Sequence, residues 1–365
     1  MCVADPNNTA DMGNKIEYSR VLGSRKQNLD LYKGNKHRQL GNHVMETDME
    51  SGSDKENLDL DSTLSEVERD DSSVDSKGGK LTNRVGPAYL LGVCERDENL
   101  NKIILRNLFN KEKNSKLNFN PSAMYVRYRH LLVEWMAEVC EEYNLPYVIC
   151  HLSIRYLDEI LSRENVAKKN LQLIALCCIL IASKYREPEQ NIPSVGELNE
   201  CSDFAYDATR ITDMEMVLLK ILKWKLEIPI AQDFIMYYVR QPLIFEDDRL
   251  KNGGLVRTKE HSLLLQYVKF FVELAVSDYS MQSYLPSHVA AATICCSRIA
   301  TCISHKWHFR LEQLTGYSLD NISKCKDHLY GIFLQKYPAE ARAIVTSLSN
   351  PDRADLDDRS SCCSI

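Results

Sequence analysis

The sequence lacks most of the short motifs from which active sites are built. Glycine supplies only 14 of the 365 residues, and there is no glycine-rich phosphate loop, no His-Glu-x-x-His and no Gly-x-Ser-x-Gly. None of the thirteen cysteines forms a Cys-x-x-Cys pair, which disfavours a zinc ribbon or a redox motif. We therefore predict no cofactor, no metal site and no catalysis, and we interpret the chain as a binding module.

A cysteine-dependent enzyme is the alternative that spacing alone leaves open, because catalytic Cys and His residues meet only in the folded protein. Cys150 and His151 are adjacent, but they lie inside a helical pattern, where a core cysteine beside a hydrogen-bonded histidine is the simpler interpretation. His305 and His308 have a spacing that a metal could use, but no further ligand is nearby.

The chain also lacks a long hydrophobic run and an excess of positive charge. Its longest apolar stretch is Leu173 to Ala182, about half of the ~20 residues needed to span a bilayer. The net charge of −6 argues against non-specific binding to nucleic acid or membranes. We expect a soluble protein in a reducing compartment, with neither a membrane nor a nucleic-acid partner. The final Cys362-Cys363-Ser364-Ile365 formally fits a prenylation box, although a tail that ends in cysteines is the simpler interpretation.

The first part of the chain differs in composition from the rest. Between Gly41 and Lys80, twelve acidic residues stand against four basic ones, and aromatic residues are few. Such a segment buries too little apolar surface to offset the entropy of ordering it. We predict that residues 1–87 form a disordered regulatory tail.

From Ala88 onward, apolar residues recur at helical spacing. An N-terminal helix is predicted at Asp97–Lys111. The helices predicted for the first set are Val126–Tyr143, Tyr147–Leu161, Leu171–Tyr185, a short helix after Ser194, and Asp207–Leu222. Those predicted after Pro229 are Gln232–Val239, Lys259–Val276, Pro286–Ile303, His308–Leu314 and Ser318–Leu329. Each set has a nearly all-apolar third helix, which is typical of a helix packed on every side. The result is an all-α prediction with two five-helix units. Its segments are an N-terminal helix and linker (88–122), the first unit (123–228), the second unit (229–337) and a tail (338–365).

The first unit resembles the cyclin box. The stretches that are similar to its helical signatures are Arg129-His-Leu-Leu-Val-Glu-Trp-Met-Ala-Glu-Val139, Tyr156-Leu157-Asp158, Leu171-Gln172-Leu173 with Ala182-Ser183-Lys184-Tyr185, and Met214-Glu215 with Leu218 and Leu219. The second unit resembles the C-terminal cyclin fold at Asp278-Tyr279, Tyr284–Ser287, Val289–Ala292 and Leu314–Tyr317. Together the resemblance covers about residues 95 to 335, and within the family it is greatest to the J type and next to the A type.

The resemblance implies a regulatory subunit that binds and activates a cyclin-dependent Ser/Thr protein kinase in cell-cycle control. By that resemblance, Lys184 and Glu215 would engage the kinase main chain around its αC helix. The residues that would add apolar contact are Ile181, Tyr185, Met216, Leu219, Trp224 and Leu226. Arg186 stands where the family usually has Glu, so we expect it to change which kinase is accepted or to weaken the fit. Arg129 and Asp158 would form an internal ion pair that locks the first two helices of the unit.

The resemblance also implies a groove that helps select substrates by docking Arg-x-Leu segments of substrates or inhibitors. Its residues would be Leu131, Leu132, Trp135, Glu138, Leu171 and Gln172, with Tyr128 replacing the family's Met and Lys168 replacing an Arg. The alternative is that Leu132 and part of Trp135 belong to the core.

Within the predicted tail, Lys55-Glu56-Asn57 resembles the KEN degron that the anaphase-promoting complex uses for ubiquitin-mediated degradation. We expect a nuclear protein with a second pool in the cytoplasm. The alternative function is a kinase-independent adaptor that uses the same fold to dock peptides or assemble transcription factors.

Overall fold

The computed structural model describes residues 98–349, most of which lie in helices. In chain order these are α1 Glu98–Asn114, α2 Val126–Glu142, α3 Tyr147–Leu161, α4 Leu171–Arg186, α5 Val195–Glu200, α6 Ala208–Ile221, α7 Ala231–Tyr238, α8 Thr258–Ser277, α9 Pro286–Ala300, α10 Phe309–Thr315, α11 Leu319–Lys336 and α12 Pro338–Ser349. Two isolated bridges, 249 with 255 and 250 with 303, are the extent of β pairing in this range. The all-α prediction is confirmed.

The first unit, α2 to α6, is built around α4. From Leu171 to Ser183 every residue of α4 except Gln172 is buried, as its all-apolar sequence predicts. Helices α3 and α6 make the most extensive contacts with α4, and α2 packs against both α3 and α4. The short α5 begins with the predicted capping box: Ser194 N donates to Glu197 Oε2 at 2.8 Å, and Glu197 N donates to Ser194 Oγ at 3.2 Å.

The second unit, α7 to α11, repeats this arrangement around α9. Helix α9 starts with Pro286 in its first turn and contacts α7, α8 and α11. It ends at Ala300, three residues before the predicted Ile303. The reason is that Cys302 adopts φ +62°, after which the backbone pairs with the segment before α8 instead of continuing the helix. In that pairing Lys251 N donates to Cys302 O at 2.9 Å.

Both central helices carry two consecutive buried cysteines, Cys177-Cys178 in α4 and Cys295-Cys296 in α9. All nine cysteines among the described residues are free thiols. Burial raises the pKa of each of these four thiols, for Cys295 to about 11. They act as small apolar side chains of the core.

Helix α1 packs on the second unit rather than on the first. The Phe109 ring lies 5.2 Å from the Phe234 ring, centroid to centroid. Glu112, near the end of α1, accepts hydrogen bonds from Ser287 N at 2.6 Å and Ser287 Oγ at 2.7 Å, so its buried carboxyl group lies at the N-terminus of α9. Burial nevertheless raises the pKa of Glu112.

The segment after residue 337, assigned from the sequence to a tail, begins with helix α12. Ala341 and Ile344 of this helix pack into the core of the second unit. Two buried residues three positions apart make too short a stripe for a pattern search to recognise, which is why the helix was missed. No helix among residues 98–349 combines the length and the apolar character needed to cross a membrane.

Candidate functional site

An ion pair marks the end of the first unit where α4 and α6 finish their packing. Lys184 Nζ lies 2.7 and 2.8 Å from the two carboxylate oxygens of Glu215. The Glu215 side chain is only 11% exposed, whereas that of Lys184 is 48% exposed. The carboxylate is therefore fixed in the wall of the unit, and the ammonium group faces solvent. The two residues that the family resemblance assigned as a pair are indeed brought together.

The predicted apolar contact residues around this pair divide into two groups. Ile181 and Leu219 are buried in the core of the first unit, so only their neighbours are available to another molecule. Tyr185 is 39% exposed and Trp224 is 61% exposed. Met216 and Leu226 are half-buried.

Trp224 owes its position to an uncommon backbone conformation. Helix α6 ends with two successive residues in the left-handed region, Lys223 at φ +53° and Trp224 at φ +59°. Trp224 N donates to Leu219 O at 3.0 Å, which closes the turn. Bulky residues rarely adopt this conformation, and such strain is concentrated at functional sites. The turn holds a large aromatic side chain in solvent at the end of α6, the helix that carries Glu215.

Arg186 does not present an unpaired charge at this face. Its Nη1 lies 2.8 Å from Asp233 Oδ1 and its Nη2 lies 3.3 Å from Asp233 Oδ2, a bidentate ion pair between the end of α4 and the first turn of α7. The pair thus joins the first unit to the second. Sequence reasoning missed Asp233 because nothing local indicates a contact between residues 47 positions apart.

The predicted Arg129–Asp158 pair is present and reaches further than predicted. Arg129 Nε and Nη2 each lie 2.8 Å from a carboxylate oxygen of Asp158, with both side chains buried. Arg129 also donates to Val276 O at 3.0 Å and to Ser277 O at 3.2 Å, the last carbonyls of α8 in the second unit. The pair locks α2 to α3, as predicted, and also fixes both to the second unit.

The predicted docking groove is only partly accessible. Leu132, Trp135 and Leu171 are all buried, which favours the alternative that they belong to the core. The groove residues that remain half-buried are Tyr128, Leu131, Glu138, Lys168 and Gln172. Lys168 Nζ lies 4.9 Å from the centroid of the Tyr128 ring, so the two replaced positions contact each other through a cation–π interaction.

The residues considered for a Cys/His site serve structural roles. Cys150 and His151 are buried within α3. His308 caps α10: its Nδ1 accepts from Arg310 N at 3.2 Å, and its Nε2 lies 3.0 Å from Asp247 Oδ2. Between residues 98 and 349 no group of three or more His, Cys, Asp or Glu residues is placed to hold a metal ion.

A small cavity of about 50 Å³ lies between the two units. Its lining is mostly apolar and includes His151 and Arg155, but none of the residues assigned to the kinase interface or to the groove. The Lys55-Glu56-Asn57 motif lies outside the described residues.

Comparison with known proteins gives a consistent result along the chain. Residues 101–227 match the family model described as "Cyclin, N-terminal domain", and residues 233–359 match "Cyclin, C-terminal domain". The two matches together cover more than two thirds of the 365 residues.

Two curated relatives illustrate the degree of similarity. The chain is 31% identical to human Cyclin-A1 over 231 residues, which is 61% of this chain and 46% of that protein. It is 30% identical to Cyclin-J of Xenopus laevis over 210 residues, 55% of this chain and 54% of that protein. The chain therefore spans about half the length of the curated relatives it matches. The two identities are almost equal, so the greater similarity to the J type stays a prediction.

Among solved structures, the fold is similar to that of a viral cyclin from herpesvirus saimiri. The TM-score is 0.50 at 22% sequence identity, over 63% of this chain and 98% of the viral protein. At this identity the likeness concerns the fold alone.

Proposed function

The chain is a member of the cyclin family, and from this premise we propose that it is a regulatory subunit that binds and activates a cyclin-dependent Ser/Thr protein kinase in cell-cycle control. Members of this family are regulatory subunits rather than enzymes. The observation that carries the proposal is the Lys184–Glu215 pair, with an exposed Tyr185 next to Lys184 in α4 and an exposed Trp224 after the end of α6.

The arrangement suits the main chain of a helix end as its ligand. The exposed Lys184 ammonium has three donors, so it can bind a carbonyl oxygen while it keeps its contact with Glu215. The Glu215 carboxylate can accept from backbone N–H groups. Tyr185 and Trp224 are of the residue types that dominate binding energy at protein interfaces.

Activation follows from rigid binding to one state of the kinase. A kinase is active only when the ion pair between its β3 lysine and its αC glutamate is formed. A partner that binds the active arrangement of αC more tightly than the inactive one shifts the equilibrium by the difference in affinity. The buried segment of α4, from Leu173 to Ser183, and the buried Arg129–Asp158 pair supply the required rigidity.

The test compares kinase recovery by two double variants. The protein, purified from dividing cells, is assayed for Ser/Thr-Pro kinase activity beside Lys184→Ala/Glu215→Ala. We expect the double variant to recover at least about tenfold less activity, because removing a central polar anchor typically costs more than 1 kcal/mol of binding. The matched control is Asp320→Ala/Lys324→Ala, an exposed pair on α11.

Two outcomes would contradict the proposal. If the Lys184/Glu215 variant recovers as much kinase activity as wild type, the interface is wrong. If wild type itself recovers none, the kinase-independent adaptor is the better hypothesis.

We extend the proposal to substrate selection through the accessible part of the groove. Tyr128, Leu131 and Gln172 offer a half-buried surface beside the acidic Glu138, which suits a segment with one basic and one apolar anchor. Fluorescence anisotropy with an Arg-x-Leu peptide tests this. Glu138→Lys should weaken binding severalfold through charge reversal, and unchanged binding would restrict the proposal to kinase activation.

The remaining elements of the proposal concern turnover and location. We propose that the protein acts in the nucleus, with a second pool in the cytoplasm, and that the anaphase-promoting complex recognises Lys55-Glu56-Asn57. Imaging of a tagged full-length chain tests the first statement. Equal decay of wild type and Lys55→Ala/Asn57→Ala through mitosis would contradict the second.

A further inference from the structure

Arg186 lies one residue beyond the exposed Tyr185 and two beyond Lys184, yet its charge is directed toward the second unit. The guanidinium is bidentate on Asp233 at 2.8 and 3.3 Å, and the side chain of Asp233 is only 7% exposed. Its charged group therefore belongs to the junction between the units.

Asp233 is itself fixed within the second unit. Its Oδ2 accepts from Ile230 N at 3.0 Å, a buried contact at the start of α7. The residue that follows Asp233, Phe234, is fully buried in the core of that unit. A displacement of the Asp233 side chain would therefore displace the start of α7.

At the other end, Arg186 closes the last turn of α4. Its guanidinium carbon lies 5.9 Å from the centroid of the Tyr185 ring, within reach of a cation–π contact. Glu187 N donates the last helical hydrogen bond, to Ser183 O at 2.8 Å, and Glu187 itself is extended, so the helix ends at Arg186. The same residue thus contacts both α7 and an exposed aromatic of the proposed kinase face.

The geometry points to a positioning role for Arg186. Its ion pair with Asp233 determines how the second unit packs against the kinase-facing end of α4. Kinase affinity then depends on this ion pair and not on a direct contact of Arg186 with the kinase. This inference rests on the kinase-binding function proposed above. It explains how an arginine is accommodated where the family resemblance leads one to expect Glu, because the second unit supplies the opposite charge.

The decisive variant is Asp233→Asn, made beside Arg186→Gln and the double variant. Asparagine keeps an oxygen that can accept from Ile230 N, but it removes the charge that binds Arg186. Arg186 is then released and can contact a kinase directly if that is its role. Asp233 is nearly buried, so an effect of its substitution on the kinase must act through its partners.

The readout is the dissociation constant for a purified cyclin-dependent kinase that pairs with A-type cyclins. We expect Arg186→Gln and Asp233→Asn each to weaken binding about tenfold, since loss of one member of a largely desolvated charge pair is costly. The double variant should be no weaker than either single variant, because both remove the same interaction. Arg186→Lys keeps the charge but not the bidentate geometry, so it should lose about threefold. The matched control is Arg163→Gln, an arginine in an exposed ion pair, which should bind as wild type does.

Each other pattern overturns the inference. If Arg186→Gln weakens binding while Asp233→Asn does not, Arg186 contacts the kinase directly. If neither variant weakens binding, or if the two effects add, the pair has no positioning role.

A second measurement keeps this test separate from the proposed function. In the free protein, amide hydrogen exchange over residues 228–238 should be faster than in wild type, by about the same factor in both single variants. The double variant should exchange no faster than either single variant. If wild type binds no kinase, the proposed function is wrong. Independently of that result, unchanged exchange in the variants would show that the Arg186–Asp233 pair does not determine how the two units are held together.

Discussion

The two helical units each contain a buried arginine bound to an aspartate, and the two pairs join different parts of the molecule. In the first unit Arg129 binds Asp158 and donates its remaining hydrogen bonds to carbonyls 276 and 277 of the second unit. In the second unit Arg298 binds Asp248 at 2.6 and 3.0 Å and donates to the carbonyls of Leu243 and His305. All the acceptors of Arg298 lie within its own unit.

The difference shows that a buried Arg–Asp ion pair has two structural roles in this protein. A guanidinium that is paired with a carboxylate and also hydrogen-bonded to carbonyl groups can be buried without leaving an unpaired charge. In the first unit it joins two domains across their boundary. In the second it anchors the long connection between α7 and α8, because both Leu243 and Asp248 belong to that connection.

The largest effect is expected from Asp248→Ala. Arg298 would keep its charge with no counter-ion, and Phe245 N would lose its acceptor, Asp248 Oδ2, at 2.8 Å. We expect a loss of about 5 kcal/mol in the free energy of unfolding, the upper end for a broken buried pair. Chemical denaturation followed by circular dichroism measures it.

The control is the double variant Arg298→Met/Asp248→Leu, which should recover most of that loss because no buried charge remains. A loss below about 1 kcal/mol for Asp248→Ala would contradict the anchoring role.

Asp158→Ala should cost less, about 3 kcal/mol. Arg129 lies at the junction of the units, so a small separation of the units would let water reach its guanidinium, whereas Arg298 is enclosed on all sides. Differential scanning calorimetry should then show two transitions in place of one. A single transition with unchanged cooperativity would mean that Arg129 does not couple the units.

Glu112→Gln tests the connection of α1 to the second unit and should cost about 1 kcal/mol, the range for a buried hydrogen bond, because one of the two carboxyl oxygens that accept from Ser287 is lost. The pKa of Glu112 is raised by burial. Folding therefore binds a proton between the unfolded pKa of 4.5 and the higher folded pKa, and the stability of wild type falls as the pH rises through that window.

The Gln variant has no such group, so its disadvantage should be greatest at the acidic end and should shrink as the pH rises. Unfolding curves at several pH values between 4 and 7 measure the difference. A disadvantage that grows with pH would contradict the direction of the shift.

The smallest effect is expected from Arg163→Ala. This arginine is exposed and binds Glu159 four residues earlier in the sequence. Such pairs contribute at most about 0.5 kcal/mol. A larger loss on denaturation would show that exposed ion pairs of the first unit matter as much as its buried one.

Periodicity was enough to predict most of the helices, because they bury apolar residues at helical spacing, whereas α12 buries too few to be recognised. Helix α3 begins and ends where its sequence pattern does, at Tyr147 and Leu161. The Lys184–Glu215 pair was within reach only through the family resemblance, since no local pattern connects α4 with α6.

Contacts between segments far apart in the sequence could not be predicted in the same way. Arg186 with Asp233, and Glu112 with Ser287, join residues 47 and 175 positions apart, and neither pair has a sequence signal. The buried state of Trp135 is similar: a tryptophan on an amphipathic helix fits both a core and a groove, and only the packing of α2 against α3 and α4 decides between them.

The buried cysteines affect how fast this protein is oxidised and provide a way to measure the opening of its core. Burial raises the pKa of Cys295 to about 11 and that of Cys325 to about 12. At neutral pH these buried thiols are therefore far less ionised than the thiol of an unfolded cysteine. In the folded protein these sulfurs are poor nucleophiles and are shielded from oxidants, but each opening of the core exposes reactive thiols. The rate at which an alkylating reagent modifies these buried thiols therefore measures how often the core opens, without any introduced label.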